Sequence, residues 1–251
     1  MIDLHCHLLP GVDDGATDLD VAMAMAEIAR ADGITDIVVT PHQRHYNWPN
    51  EDGAALARAF AELRGRIGET PRLVLGAEVR VDSELLDDLA SGEPHGGVLP
   101  LGGSRALLIE FDVFPVGPEP EDVVHELVVA GWRPVLAHPE RIPWLADTPE
   151  RIAALADLGA AIQITAMSVT GDWGRRAQSC SRFLLDRGVA HVLATDAHGV
   201  DRRPPVLSRA RERVVAGWGE ETAERLTRLN PEAILADRPL VSVSTAREAA
   251  R

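Results

Sequence analysis

The stretch Ile2-Asp3-Leu4-His5-Cys6-His7-Leu8-Leu9-Pro10-Gly11-Val12-Asp13-Asp14-Gly15-Ala16 opens as a short apolar strand and runs out into acidic and turn-forming residues. Side chains alternate across a strand, so His5 and His7 share one face and Cys6 takes the other. Both imidazoles can then reach one metal ion while Cys6 packs behind the sheet. The Asp13-Asp14-Gly15 run supplies a further carboxylate or is only a turn leading into a helix cap. The local pattern does not choose between Asp13 and Asp14 as the ligand.

Working outward, further apolar runs repeat the same plan. Strands are expected at Met1–His5, Thr35–Thr40, Arg72–Ala77, Ala106–Glu110, Pro134–Ala137, Ala160–Thr165 and His191–Thr195. Helix-period segments lie near 18–32, 51–67, 119–130, 149–158 and 174–187, and three more are expected near 205–216, 220–228 and 231–236. A strand-then-helix rhythm implies parallel strands with crossover helices. Gly33, Gly131, Gly159 and Gly188 fall where helices should stop before the next strand. Glu93–Gly103 and Pro115–Pro120 are expected as loops. The expected architecture is an α/β barrel of parallel strands, one domain over 1–241, followed by a flexible tail over 242–251.

Composition is that of an ordinary soluble globular protein and argues against a dedicated nucleic-acid binder. The 251 residues are 45% apolar and 25% charged, and 39 acidic against 25 basic residues give a formal charge of −14. A phosphate-backbone binder would carry a basic patch instead. No run approaches the ~20 apolar residues of a membrane span, so no membrane insertion is expected. The first residues lack the basic and apolar regions of a signal peptide, which makes a cytoplasmic location the expectation. Two cysteines, Cys6 and Cys180, can form neither a disulfide framework nor a zinc ribbon.

The chemistry sits directly after the strands. His5-Cys6-His7, Thr40-Pro41-His42, Glu78, Glu110, His138-Pro139-Glu140-Arg141 and Asp196-Ala197-His198 follow six of the seven runs. In a parallel barrel these ends form the face where active sites assemble. Imidazole and carboxylate donors without thiolate suit Mn, Fe or Zn at a catalytic site. Each piece alone has a plainer explanation: His42 as a turn residue, Glu110 as a strand-end ion pair, Arg141 as a surface partner of Glu140. Six independent strand ends of the same kind argue for a polynuclear metal site. His95, His125 and His191 lack that support and are expected to be structural or exposed, whereas His45 could line the site.

These motifs resemble the polymerase and histidinol phosphatase (PHP) superfamily, and within it the capsule and exopolysaccharide branch of metal-dependent tyrosine-protein phosphatases. The likeness runs in order from the opening stretch through Thr40-Pro41-His42, Glu78-Val79-Arg80, Ile109-Glu110-Phe111, Ala137-His138-Pro139-Glu140-Arg141, Gln163-Ile164-Thr165 and Thr195-Asp196-Ala197-His198 to Asn230-Pro231-Glu232-Ala233-Ile234-Leu235. It implies a distorted (β/α)7 barrel holding three divalent ions, commonly Mn. By motif position, His5, His7, Glu78 and Asp196 would hold one ion. Glu78 would bridge to a second, bound by Glu110 and His138, and Asp14, His42 and His198 would hold the third. Arg141 and Arg203 match arginines that grip phosphate, with Arg202 adjacent as the alternative to Arg203. Gln43, Met167 and Gly199 depart from the usual pattern and are expected near the substrate entrance.

The reaction this implies is phosphomonoester hydrolysis. Divalent ions bring the pKa of bound water toward neutrality, and arginine forks pair bidentately with phosphoryl oxygens. The resemblance favours a phosphotyrosine protein as substrate, with a bacterial tyrosine kinase of polysaccharide assembly as a candidate partner. A small-molecule phosphatase of the histidinol-phosphatase type and a non-catalytic metal-binding module are the alternatives. Neither cysteine is followed six residues on by the arginine of a Cys-X5-Arg loop, since Val12 and Asp186 stand there.

Overall fold

The computed structural model describes residues 1–91 and 97–241, so His95 and the tail expected from Ser242 lie outside the described residues. The strands are β1 (Ile2–Cys6), β2 (Asp36–Val39), β3 (His42–Gln43), β4 (Arg72–Leu75), β5 (Glu78–Arg80), β6 (Ala106–Glu110), β7 (Arg133–Leu136), β8 (Ala161–Thr165) and β9 (Val192–Ala194). They form a three-stranded sheet in the order β1-β2-β4 and a six-stranded sheet in the order β3-β5-β6-β7-β8-β9. Every pairing is parallel.

The two sheets continue one another. β2 and β3 are halves of one run broken at Thr40-Pro41, and β4 and β5 are halves broken at Gly76-Ala77. Proline has no N–H to give to a ladder. A Cβ on Gly76 would sit 2.8 Å from Leu101 Cδ2, so glycine lets Leu101 pack closely against the second break. Hydrogen bonds cross the breaks from Gly76 N to Val39 O (2.9 Å) and from Glu78 N to Pro41 O (3.0 Å). At the other end, Cys6 forms a parallel bridge with Ala197. There Asp196 N donates to His5 O and His7 N donates to Ala197 O, at 2.8 and 2.9 Å. The seven expected runs are all strands, and the two short continuations carry His42 and Glu78.

Alternation sorts the apolar side chains into two clusters on opposite faces of the strands. Leu4, Val38, Leu108, Val135, Ala161, Val192 and Ala194 form the smaller, closed below by Leu101 and Ile234. Leu107, Ile109, Leu136, Ile162 and Leu193 belong to the larger, which meets the helices. β1 does not follow strict alternation. Leu4 joins the small cluster and Cys6 the large one. The register explains it: Asp3 pairs Ile37 and Cys6 pairs Val39, so β1 carries one extra residue. This bulge turns His5 to the same side as Leu4 and resets the phase for Cys6 and His7.

Helices Leu19–Ala31, Gly53–Ile67, Pro120–Val129, Pro149–Asp157, Arg175–Asp186 and Ser208–Trp218 fall within a few residues of the expected segments. Asp18 and Asp52 cap the first two, accepting from Val21 N and Ala55 N. Gly33, Gly131, Gly159 and Gly188 all have positive φ (71° to 111°) at helix ends, where a side chain would be strained. Short helices Leu85–Ala90, Pro143–Ala146 and Ala166–Thr170 were not expected, being too brief to show a 3.6-residue period. No helix among the described residues is long and apolar enough to cross a membrane.

Candidate metal centre

Because every strand is parallel, the C-terminal ends meet on one edge, and the expected residues converge there. His5, His7, Glu78 and Asp196 form one group of potential ligand atoms. His7, Asp14, His42 and His198 form a second, and His42, Glu78 and Glu110 a third. His138 adjoins the third: its Nε2 is 2.8 Å from Glu78 Oε1 and 3.8 Å from Glu110 Oε1. His138 and Asp196 reach inward from left-handed backbone, with φ of 32° and 52°. Such conformations in non-glycine residues concentrate at functional sites.

The hydrogen bonds show which nitrogens are free to ligate. His5 Nδ1 lies 2.9 Å from Gln163 Oε1 and His7 Nδ1 lies 2.9 Å from Asp13 Oδ2, both acceptors. Each Nδ1 therefore carries the proton, which leaves the lone pair on Nε2. Those two Nε2 atoms face each other at 3.1 Å. Glu78 Oε2 and Asp196 Oδ1 stand 3.2–3.4 Å from the same nitrogens. Among the described residues, both oxygens are buried without a hydrogen-bond partner. Four electron-rich atoms facing one another repel unless a cation joins them, so the donor set fits a divalent ion.

The other groups follow the same logic. His198 Nδ1 is 3.0 Å from the backbone oxygen of Asp196, leaving Nε2 toward Asp14 Oδ1 at 3.3 Å. Asp14, not Asp13, is the carboxylate that faces two imidazoles. Asp13 instead orients His7 and accepts from Gly15 N and His42 N. His42 presents Nε2 to Asp14 (3.5 Å) and Nδ1 to Glu78 Oε2 (3.1 Å). A neutral imidazole has one lone pair, so His42 can serve only one of the two groups it touches.

Electrostatics in the site pull in opposite directions. Without a metal ion the carboxylates draw a proton to the imidazoles in its place: burial opposes charge on His7 and His42, but Asp13 for the first and Glu78 with Asp14 for the second push each up to about 9. Burial and then the charge of Arg141 bring His138 down to about 3. Burial would raise the Glu78 carboxyl, yet His5, His42 and His138 hold it well below its usual range. Glu110, buried beside the negative Glu78, is pushed up to about 7. Carboxylates crowded together in this way are a strong demand for positive charge.

Two arginines supply some of it. Arg141 Nη1 and Arg203 Nη2 both donate to Asp196 Oδ2. Arg202 is exposed and is not part of this cluster. The expected alternative of an Arg141–Glu140 surface pair does not form. Glu140 is wholly buried and its Oε1 accepts from Thr165 N and Oγ1. Arg141 Nε is buried with no hydrogen-bond partner among the described residues, a donor left available at the site.

His45 stacks on His42 with ring centroids 4.9 Å apart, beside Trp48 and Tyr46, while His125 is exposed and His191 is a structural hydrogen-bond acceptor for Ile162 N. Gln43 borders a cavity shared with Arg44, His45 and Tyr46. It is buried, donating to Asn50 O and Gly97 O and accepting from Leu99 N. Sequence reasoning missed Gln163, Asp13's orienting role and Trp173. The inward parity of Gln163 on β8 was the available signal for the first.

A parallel α/β frame whose strand ends gather imidazoles, carboxylates and arginines defines a hydrolytic metal-centre class. The chain belongs to the capsular polysaccharide synthesis CpsB/CapC family, whose model matches residues 1–236. It is 35% identical over 243 residues to the tyrosine-protein phosphatase YwqE of Bacillus subtilis, covering 96% of this chain and 93% of YwqE. It is 28% identical over 245 residues to the tyrosine-protein phosphatase CpsB of Streptococcus pneumoniae, covering 95% and 99% of the two chains. A solved structure from work on YwqE and CpsB as metal-dependent tyrosine phosphatases superposes with a TM-score of 0.89 at 33% identity, covering 96% of this chain and 97% of that one.

Proposed function

We propose that this chain is a metal-dependent protein-tyrosine phosphatase that acts on a phosphotyrosine protein linked to capsule or exopolysaccharide synthesis. The observation that carries the metal-dependent part is the set of facing lone pairs on His5, His7, Glu78 and Asp196. The names of the similar proteins support the substrate class. The frame behind it is a distorted (β/α)7 barrel, an assignment supported by seven strand positions in sequence order and by the Cys6–Ala197 bridge.

Three divalent ions, Mn in the first instance, would be held by this chain. His5, His7, Glu78 and Asp196 would take one, and Glu78, Glu110 and His138 a second. Asp14, His42 and His198 would take the third, with His42 using Nε2 and His7 lying alongside. When bound, such ions supply a nucleophile from water near neutral pH and offset charge on the phosphoryl oxygens. Arg141 and Arg203 would grip the phosphate and stabilise its developing charge. Asp13 and Gln163 hold His7 and His5 in the tautomers that ligation needs. A tyrosine kinase of polysaccharide assembly in the cytoplasm is the partner that this substrate class suggests.

Turnover of a phosphotyrosine peptide and of histidinol phosphate, each before and after chelation, tests the reading. We expect metal-dependent hydrolysis with the phosphotyrosine peptide preferred. Preference for histidinol phosphate would overturn the substrate, and undiminished activity in metal-free protein would overturn the mechanism.

A further inference from the structure

The loop after β8 places one exposed indole between two arginines that come from its neighbouring strands. Arg141 follows β7 and Arg203 follows β9, and β8 lies between those strands in the sheet. The Arg141 Cζ is 3.7 Å from the centroid of the Trp173 ring and the Arg203 Cζ is 5.4 Å from it. Trp173 is 38% exposed, so its position is not explained by core packing.

The turn that carries Trp173 is tightly built. Trp173 N donates to Met167 O at 3.1 Å and Gly174 N donates to Gly171 O at 3.0 Å. Gly171 has φ of 93°, and a Cβ there would lie 2.6 Å from Gln178 Nε2. Thr170 Oγ1 donates to Asp172 Oδ2 at 2.7 Å. The backbone from which the indole projects is thus fixed by contacts that do not involve the arginines.

We propose that Trp173 is a positioning residue for the phosphate-binding arginines, its ring holding the guanidinium of Arg141 by its face and steadying Arg203 beside it. This rests on the phosphatase reading above. Two like charges side by side repel, and among the described residues the ion pairs of both arginines go to the one oxygen Asp196 Oδ2. Asp196 would also serve the cation proposed above, which would draw on the same charge. An aromatic face attracts guanidinium without consuming its N–H donors, so stacked arginines keep their edges for a phosphate.

Inorganic phosphate binding to the metal-loaded protein, measured by calorimetry, tests this alongside the KM and kcat for p-nitrophenyl phosphate. Trp173→Ala should weaken phosphate binding and raise KM by about tenfold, with metal content unchanged and kcat affected less. Trp173→Leu keeps bulk but has no π face and should behave like Trp173→Ala, whereas Trp173→Phe should restore most of the affinity. In an Arg141→Ala background, Trp173→Ala should add little further loss. If Trp173→Ala and Trp173→Leu bind phosphate as the wild type does, or if the losses multiply independently, the inference fails while the phosphatase reading stands. If the wild type itself neither binds phosphate nor hydrolyses phosphomonoesters, that reading fails and takes the inference with it.

Discussion

His5 and His7 aim their Nε2 atoms at one shared point, and Cys6 between them faces away into the apolar cluster behind the sheet. A thiol so buried has its pKa raised well above its ordinary value by desolvation first and by Asp3 next. Cys180 is likewise pushed up to about 12 by burial. Neither is a nucleophile at neutral pH. Cys6→Ser and Cys180→Ser should therefore each retain most phosphatase activity, and thiol alkylation of the native protein should leave turnover largely intact while chelation stops it. Inactivation by alkylation with metal content and fold unchanged would contradict a metal-based reaction. Among the acidic residues, Glu78 and Asp196 are buried at the convergence of several imidazoles, whereas the Asp14 side chain is 41% exposed. Glu78→Ala or Asp196→Ala should accordingly release more metal than Asp14→Ala. Elemental analysis of the three variants checks that order, and equal, mild losses would refute it.

At the scale of elements, the loop after β1 is held against the strand it leaves. Ala16 N donates to His7 O at 3.0 Å and Gly15 N to Asp13 Oδ1 at 2.9 Å. A Cβ on Gly15 would overlap the His7 carbonyl oxygen, which is backbone and cannot step aside. Gly15→Ala should destabilise the fold by about 1–3 kcal/mol, the usual scale of overpacking. It should also reduce metal occupancy, because the displaced loop carries Asp13 and Asp14. Gly65 is the contrasting case, within helix Gly53–Ile67 and with open space on all sides of the point a Cβ would occupy. Gly65→Ala should raise stability by about 0.5–1 kcal/mol without touching metal content. Denaturant midpoints and metal analysis on the pair of variants separate the two outcomes.

Over the whole molecule, the end opposite the metal centre sets a limit on acid stability. His191 accepts from Ile162 N at 3.0 Å through Nδ1, and Asn230 Nδ2 donates to its backbone oxygen at 2.8 Å. Burial first, and the charge of Arg225 second, lower its pKa from 6.5 to about 4. The unfolded chain thus takes up a proton that the folded chain refuses. The stability associated with neutral His191 is full above pH 6.5 and is lost as pH falls toward about 4. Thermal unfolding across that window should show a flatter acid limb for His191→Gln than for the wild type. An unchanged limb would mean that other groups govern acid unfolding.

The sequence by itself determined the parallel α/β plan, the seven strand positions and the residues that could gather at one edge. Short apolar runs and helix period are local features of the chain, so Ala106–Glu110 and Leu19–Ala31 could be located from their own side chains. Glycine at helix ends was legible for the same reason. Only the tertiary structure decided the rest. The bulge in β1 depends on its register against β2, and Asp14 faces two imidazoles only because His42 and His198 come to lie beside it. Arg203 is distinguished from Arg202 by its reach to Asp196, and Trp173 owes its place to the order of three strands. Such contacts join residues far apart in the chain, whose meeting is fixed by strand order, burial and the demand of buried charges for partners.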